Sequence, residues 1–184
     1  MASYSLLAAE IASFAIEAPN LPQLFGLLGF SAVGLARGEV WTLFTSMFVH
    51  VSVYHLAINL FFLYVFGTAL EAEKGRGVVL AAFFVGGPLS LLVGIPLYSA
   101  NTEIVGSSIA VSAVVGASLV AIPQKKSPVY LFYAPLGLIA VIYVVFNTFF
   151  AYYGQTAAGI AYPSHVIGFI MGAGIALLAR ISRR

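Results

Sequence analysis

Residues 127–179 read SPVYLFYAPLGLIAVIYVVFNTFFAYYGQTAAGIAYPSHVIGFIMGAGIALLA, without one Asp, Glu, Lys or Arg. A bilayer-spanning helix needs roughly 20 predominantly apolar residues. The run is therefore too long for one crossing and long enough for two, and Gly154-Gln155-Thr156 and Pro163-Ser164 divide it. Outward from it, Val40–Leu70, Gly77–Thr102 and Ile104–Gln124 are also free of charge. Over the 184 residues 61% are hydrophobic and 8% charged, against about 25% charged in a soluble domain. The chain thus reads as an integral, multi-pass membrane protein whose surroundings are the lipid bilayer; no nucleic-acid partner is expected. A weaker candidate span, Ser3–Ile16, is interrupted by Glu10. It lacks a basic leading region and so reads as a span rather than a cleaved signal.

Six spans are predicted, at 2–18, 52–72, 77–98, 107–123, 128–152 and 163–180. They make an all-α, six-transmembrane-helix bundle that takes up the whole chain, 1–184, as one membrane domain. Cytoplasmic loops collect Lys and Arg. Lys74 and Arg76, Lys125 and Lys126, and Arg180, Arg183 and Arg184 fall on one side of this arrangement, and only Arg37 on the other. Both termini are therefore expected in the cytoplasm. The connection from Ala18 to Met47, apolar over Leu21–Gly29 and broken by Pro19 and Pro22, is expected on the outer side, lying in the interface or dipping partway into the membrane.

Strongly polar side chains inside spans are costly and mark candidate functional sites. His50, His55 and Asn59 open span 2; Ser107, Ser108 and Ser112 open span 4; Ser164 and His165 open span 6. All three spans run outside to inside, so the three groups share one depth in the outer part of the membrane. Asn147 on span 5 falls at a similar depth, and the sequence assigns it no role. Residues four apart share a helix face. Ser108, Ser112 and Gly116 form a small-residue stripe on span 4; His165, Gly168 and Gly172 form one on span 6. Such faces let membrane helices approach closely. Taken alone, the glycines need no explanation beyond packing. If the two stripes pack together, Ser108 and His165 meet.

That meeting has a chemistry. A serine hydroxyl becomes a nucleophile when a base takes its proton, most often an imidazole. Ser108 lies in the first turn of its helix, just after Gly106, where backbone N–H groups have no internal partners and suit an anion. His55 and Asn59 can add side-chain donors to such an oxyanion. Near a helix N-terminus His165 is favoured in the neutral form that a base requires. No acid is evident at that depth apart from Glu103, five residues before Ser108, as a possible orienting group. The reading is therefore a Ser-His dyad. His50 is read as a support of the outer loop. A zinc site from His50 and His55 is not expected, because their spacing puts them on different helix faces and no third ligand is at hand. The chain has no cysteines, which removes thiol nucleophiles and disulfides. Neither a metal nor a cofactor is expected.

Three segments resemble the rhomboid family of intramembrane serine proteases, in order and spacing. EVWTLFTSMFVHVSVYHLAINLFFLYVFGTALE (39–71) is similar to the family's outer-loop Trp, its His and His-x-x-x-Asn, and its Gly-x-x-x-Glu, here Gly67 and Glu71. GSSIAVSAVVGA (106–117) is similar to the Gly-x-Ser-Gly opening of the fourth span, and HVIGFIMG (165–172) to the His-x-x-Gly-x-x-x-Gly of the sixth. The resemblance implies Ser108 as nucleophile and His165 as base. It implies His55, Asn59 and the Ser108 N–H as oxyanion hole, and His50, Trp41 and Gly106 as supports. The substrates it implies are transmembrane protein segments reaching the site laterally near spans 2 and 5.

The chain departs from the family pattern at Ile109, where Gly usually follows the nucleophile. It departs also at Ser112, where an aromatic usually packs on the imidazole, and at Thr42, where Arg commonly follows the Trp. These departures leave open a catalytically inactive relative that binds membrane clients. A small transporter is a third reading, opposed by the lack of an inverted repeat. Span 5 carries Pro135 near one end and Phe146, Phe149, Phe150, Tyr152 and Tyr153 near the other. With the loop Gly154–Tyr162 it is read either as a movable gate and lid or as an aromatic belt.

Overall fold

The computed structural model describes residues 1–121, 130–153 and 161–181. Among these residues the chain is almost entirely helical. The principal helices are α1 (Ala2–Glu17), α2 (Leu21–Leu28), α3 (Ala32–Ala36) and α4 (Thr42–Thr45). There follow α5 (Val53–Lys74), α6 (Arg76–Leu97), α7 (Ser108–Ala121), α8 (Tyr130–Tyr153) and α9 (Tyr162–Ile181). Four of them, α5, α6, α8 and α9, are long and apolar enough to cross a membrane. The described part of α7, 14 residues, extends about 21 Å at 1.5 Å per residue. Lys125, Lys126, Arg183, Arg184 and the proposed lid over 154–160 lie outside the described residues.

α7 is the axis of the molecule. Every residue from Ile109 to Ser118 is buried, and most are Ala, Ser, Gly or Val, so neighbouring helices come close. A side chain at Gly116 would run into the Phe169 carbonyl of α9, and one at Gly172 into the Ala113 carbonyl of α7. On the other flank, Cβ atoms at Gly86 and Gly87 of α6 would come within 2.8 Å of the methyls of Ala113 and Ala110. Without a hydrophobic drive between helices in lipid, such close packing supplies the cohesion. The outer faces are apolar, with Ile58, Phe61, Val141, Val145 and Ile170 exposed, as lipid contact requires.

Two departures from regular helix carry inter-helix bonds. A π-turn at Leu63–Gly67 interrupts α5, and the Phe66 carbonyl there accepts the Ser118 hydroxyl of α7 at 2.9 Å. Such turns loosen the backbone ladder. Gly75, at φ 84°, breaks the chain between α5 and α6. Before that break, Glu71 accepts the Ala2 and Ser3 N–H groups (2.8 and 2.9 Å) and the Ser3 hydroxyl. It thus satisfies the free donors at the start of α1.

The connection before α5 is built of short helices. Trp41 Nε1 donates to the Leu27 carbonyl (3.1 Å) and Thr45 Oγ1 to that of Leu28 (2.9 Å), tying α4 to α2. Phe30 and Ile104 exchange backbone hydrogen bonds of 3.0 and 2.8 Å as an isolated antiparallel bridge. This bridge anchors the segment leading into α7.

Candidate active site

The turn before α7 is held on both sides. Gly106 adopts φ 103°, and a Cβ there would collide with the His55 ring. Only glycine combines that backbone with that contact. Its N–H donates to the Ser46 carbonyl at 2.8 Å. His50, fully buried, lies 3.2 Å from the Phe48 carbonyl through Nδ1. That bond makes Nδ1 the protonated nitrogen and leaves Nε2 as acceptor for the Ser107 N–H and hydroxyl, at 3.5 and 3.4 Å. The chain then enters α7 with Ser108 in its first turn.

His165 lies in the first turn of α9. The Ser164 N–H just before it donates to the Tyr98 hydroxyl at 2.9 Å, so a residue beyond α6 sets where α9 begins. From there His165 Nε2 reaches Ser108 Oγ at 2.8 Å, within hydrogen-bond range. The other nitrogen, Nδ1, lies 2.7 Å from Asn147 Oδ1 of α8. Tyr162 meets the imidazole edge-on at 6.1 Å between ring centres.

The remaining candidates surround this contact. Asn59 is buried and donates from Nδ2 to the His55 carbonyl at 3.0 Å; an amide NH₂ keeps a second donor. His55 Nδ1 is buried without a hydrogen-bond partner among the described residues. A cavity of about 730 Å³ lies over Ser108 and His165, bordered by His55, Ile58, Asn59 and Phe62 of α5 and by Ile139, Ile142, Tyr143 and Phe146 of α8. It lies between the two helices, and its walls are mostly apolar.

Several sequence expectations need correction. His50 and His55 do not point apart: their rings meet at 5.2 Å, because α5 starts only at Val53 and His50 precedes it in non-helical chain. No cluster of three metal-ligating side chains occurs among the described residues. Glu103 is exposed at the cavity rim and has no bond to His165; Asn147 holds that place instead. Glu10 of α1 is fully buried beside Ser107, so an acid does approach the turn, from behind it. Ser112 does more than pack against Gly168. Its hydroxyl donates to the Ser108 carbonyl (2.7 Å) and meets the Tyr143 hydroxyl (2.6 Å). Ile109 turns away from the cavity into a cluster with Phe30, Leu91, Ile104 and Ala161. Thr42 is buried and bonds the Glu39 carbonyl at 2.7 Å. The aromatics of α8 divide: Phe150 stacks on Tyr162 at 5.3 Å, whereas Phe149 and Tyr152 face outward.

From the sequence Asn147 received no role, and neither Tyr143 nor Tyr98 was singled out. For Asn147 a signal existed, a polar residue in an apolar span at the right depth. For the two tyrosines there was none, since tyrosine is common at membrane interfaces.

Comparison with known proteins bears on the family. The Rhomboid domain profile matches residues 37–182. The chain is 29% identical over 174 residues to Rhomboid-like protease 2 of Toxoplasma gondii, covering 90% of this chain and 57% of that protein. It is 30% identical over 142 residues to Rhomboid protease GluP of Bacillus subtilis (75% and 26%). It is 27% identical over 133 residues to Inactive RHOMBOID-like protein 8 of Arabidopsis thaliana (72% and 37%). The chain thus spans from about a quarter to somewhat over half the length of these relatives. With a domain match over most of its length and apolar helices throughout, the chain is an integral membrane protein of the rhomboid family.

Proposed function

We propose that this chain is an intramembrane serine endopeptidase, a single membrane domain over 1–184 with six spans and both termini in the cytoplasm. On this reading it cleaves transmembrane segments of other membrane proteins near the outer side of the bilayer. The single observation that carries the proposal is the 2.8 Å contact between Ser108 Oγ and His165 Nε2 at the floor of the cavity. The place of Ser108 supports it, because the first turn of α7 borders the cavity between α5 and α8. The basic residues Lys74 and Arg76 at the α5–α6 break support the orientation.

In the mechanism, His165 Nε2 takes the Ser108 proton as Oγ attacks the scissile carbonyl carbon. The oxyanion forms beside the free N–H groups of α7's first turn, with the second Asn59 N–H and the His55 ring as further donors. Each such donor is worth roughly 2.7–4 kcal/mol in the transition state. His165 then hands its proton to the leaving amine, the C–N bond breaks, and an acyl-enzyme remains. Water, deprotonated by the same imidazole, hydrolyses that ester and regenerates Ser108. No metal or cofactor enters any step. A substrate helix must unwind to expose its peptide bond, so Gly or Pro near the cut lowers the cost by about 1 or 3 kcal/mol relative to Ala.

A second reading is a client-binding rhomboid without activity, favoured by the similarity to Inactive RHOMBOID-like protein 8 and by Ile109 after the serine. A fluorophosphonate probe separates the two. The protease predicts labelling that disappears in Ser108→Ala and in His165→Ala. Label that persists in Ser108→Ala overturns the assignment, and a wild-type chain that neither labels nor cleaves favours the client-binding reading.

A further inference from the structure

Neutral imidazole is a base only at the nitrogen without a proton, so something must decide which nitrogen that is. Asn147 is 4% exposed, and its Nδ2 donates to the Tyr143 carbonyl one turn earlier on α8, at 2.8 Å. That bond leaves the amide oxygen facing His165 Nδ1, at 2.7 Å. An amide oxygen only accepts, so Nδ1 carries the proton and the lone pair on Nε2 points at the Ser108 hydroxyl. A neutral amide does this in an apolar, buried place where an unpaired carboxylate is costly.

The element that carries Asn147 matters as much as its chemistry. Of the four long helices α8 is the least embedded: over 135–152, 11% of its residues are buried within the protein, against 28%, 33% and 56% for the apolar stretches of the others. Two of its polar contacts with the core lie one turn apart on one face. Tyr143 meets the Ser112 hydroxyl at 2.6 Å; because Ser112 already donates to the Ser108 carbonyl, the Tyr143 hydroxyl is the donor. One turn on, Asn147 meets His165. The same helix also forms one wall of the cavity.

We propose that Asn147 is a positioning residue that fixes His165 in the Nδ1–H tautomer, and that its location on α8 ties the orientation of the base to α8 lying against α7 and α9. The proposal rests on Ser108 and His165 being nucleophile and base. Movement of α8 away from α7 withdraws the acceptor and leaves the imidazole free to rotate or to exchange tautomers. The site is then competent only when α8 is docked.

The test uses the full chain in bicelles, with 15N-labelled histidine and His165→Gln to identify the His165 signals. Wild type should show a protonated Nδ1 and an unprotonated Nε2. In Asn147→Ala the two nitrogens should move toward averaged values, with kcat on a transmembrane substrate falling about 10–100-fold and KM unchanged. Asn147→Asp restores an acceptor paired with the imidazole N–H and should bring back the Nδ1–H tautomer, with kcat recovering in part because the donor to the Tyr143 carbonyl is lost. A residue that served only packing would alter thermal stability in both variants and leave the nitrogen signals alone. The proposal is overturned if wild-type His165 carries its proton on Nε2, or if Asn147→Ala keeps tautomer and kcat. A wild-type chain that shows the expected tautomer, lost in Asn147→Ala, but neither cleaves nor labels would uphold the positioning and refute the protease.

Discussion

Gly172 of α9 lies directly over the backbone carbonyl of Ala113 of α7, so closely that no Cβ fits between them. One turn earlier on α9, Gly168 would meet the Ile109 carbonyl, within 2.6 Å of an added Cβ. The 2.8 Å contact between His165 and Ser108 is the end of this seam. The seam sets the separation of the two helices, and that separation sets whether the base reaches the hydroxyl.

Gly172→Ala should therefore act at a distance. The methyl forces α7 and α9 apart, at a cost of about 1–3 kcal/mol for overpacking. Thermal unfolding in detergent should show the loss of stability, and probe labelling at Ser108 should slow, although the substituted position lies two turns from the hydroxyl. Unchanged labelling in a destabilised protein would mean that the site tolerates helix separation.

The two adjacent serines should behave differently. Ser108→Ala is expected to lower kcat by at least about a thousandfold, as loss of a nucleophile does. Ser107→Ala removes a long hydrogen bond to His50 and should stay within about tenfold, the range of one bond of about 1 kcal/mol. Comparable losses in both would shift the nucleophile or show that the turn needs Ser107.

Gly106→Ala should be severe for a backbone reason. At φ 103° a Cβ is strained, costing roughly 1–3 kcal/mol, and it also displaces the His55 ring. The expected outcome is a folded protein with labelling at Ser108 sharply reduced. Rotation of His55 without loss of labelling would argue against an oxyanion role for that ring.

Access through the cavity can be tested because the chain has no cysteines. Ile58→Cys on α5 and Ile142→Cys on α8, bridged by a bifunctional maleimide, should block cleavage of a transmembrane substrate while a small serine probe still labels Ser108. Cleavage that continues after complete bridging would remove α8 as a gate.

Much of the helical framework was legible in one dimension. Residues 127–179 had to make two helices because lipid leaves the backbone no other way to pair its polar groups. Ser108, His165, His55 and Asn59 stood out because a polar side chain in an apolar run has to be justified by a partner. The glycines at 116, 168 and 172 announced a close helix contact by their spacing. The mutual placement of His50 and His55 was misread, since a helical face cannot be assigned before the first residue of the helix is known.

The sequence by itself determined that the chain is a helical membrane protein and that its polar residues gather near three helix starts, because hydropathy and charge act locally along the chain. Only the tertiary structure decided that α8 supplies Asn147 to His165, that Tyr98 starts α9, and that Ile109 turns out of the cavity. Those facts depend on how helices rotate about their axes and on which faces meet, and rotation is set by packing among distant residues rather than by any pattern within one segment.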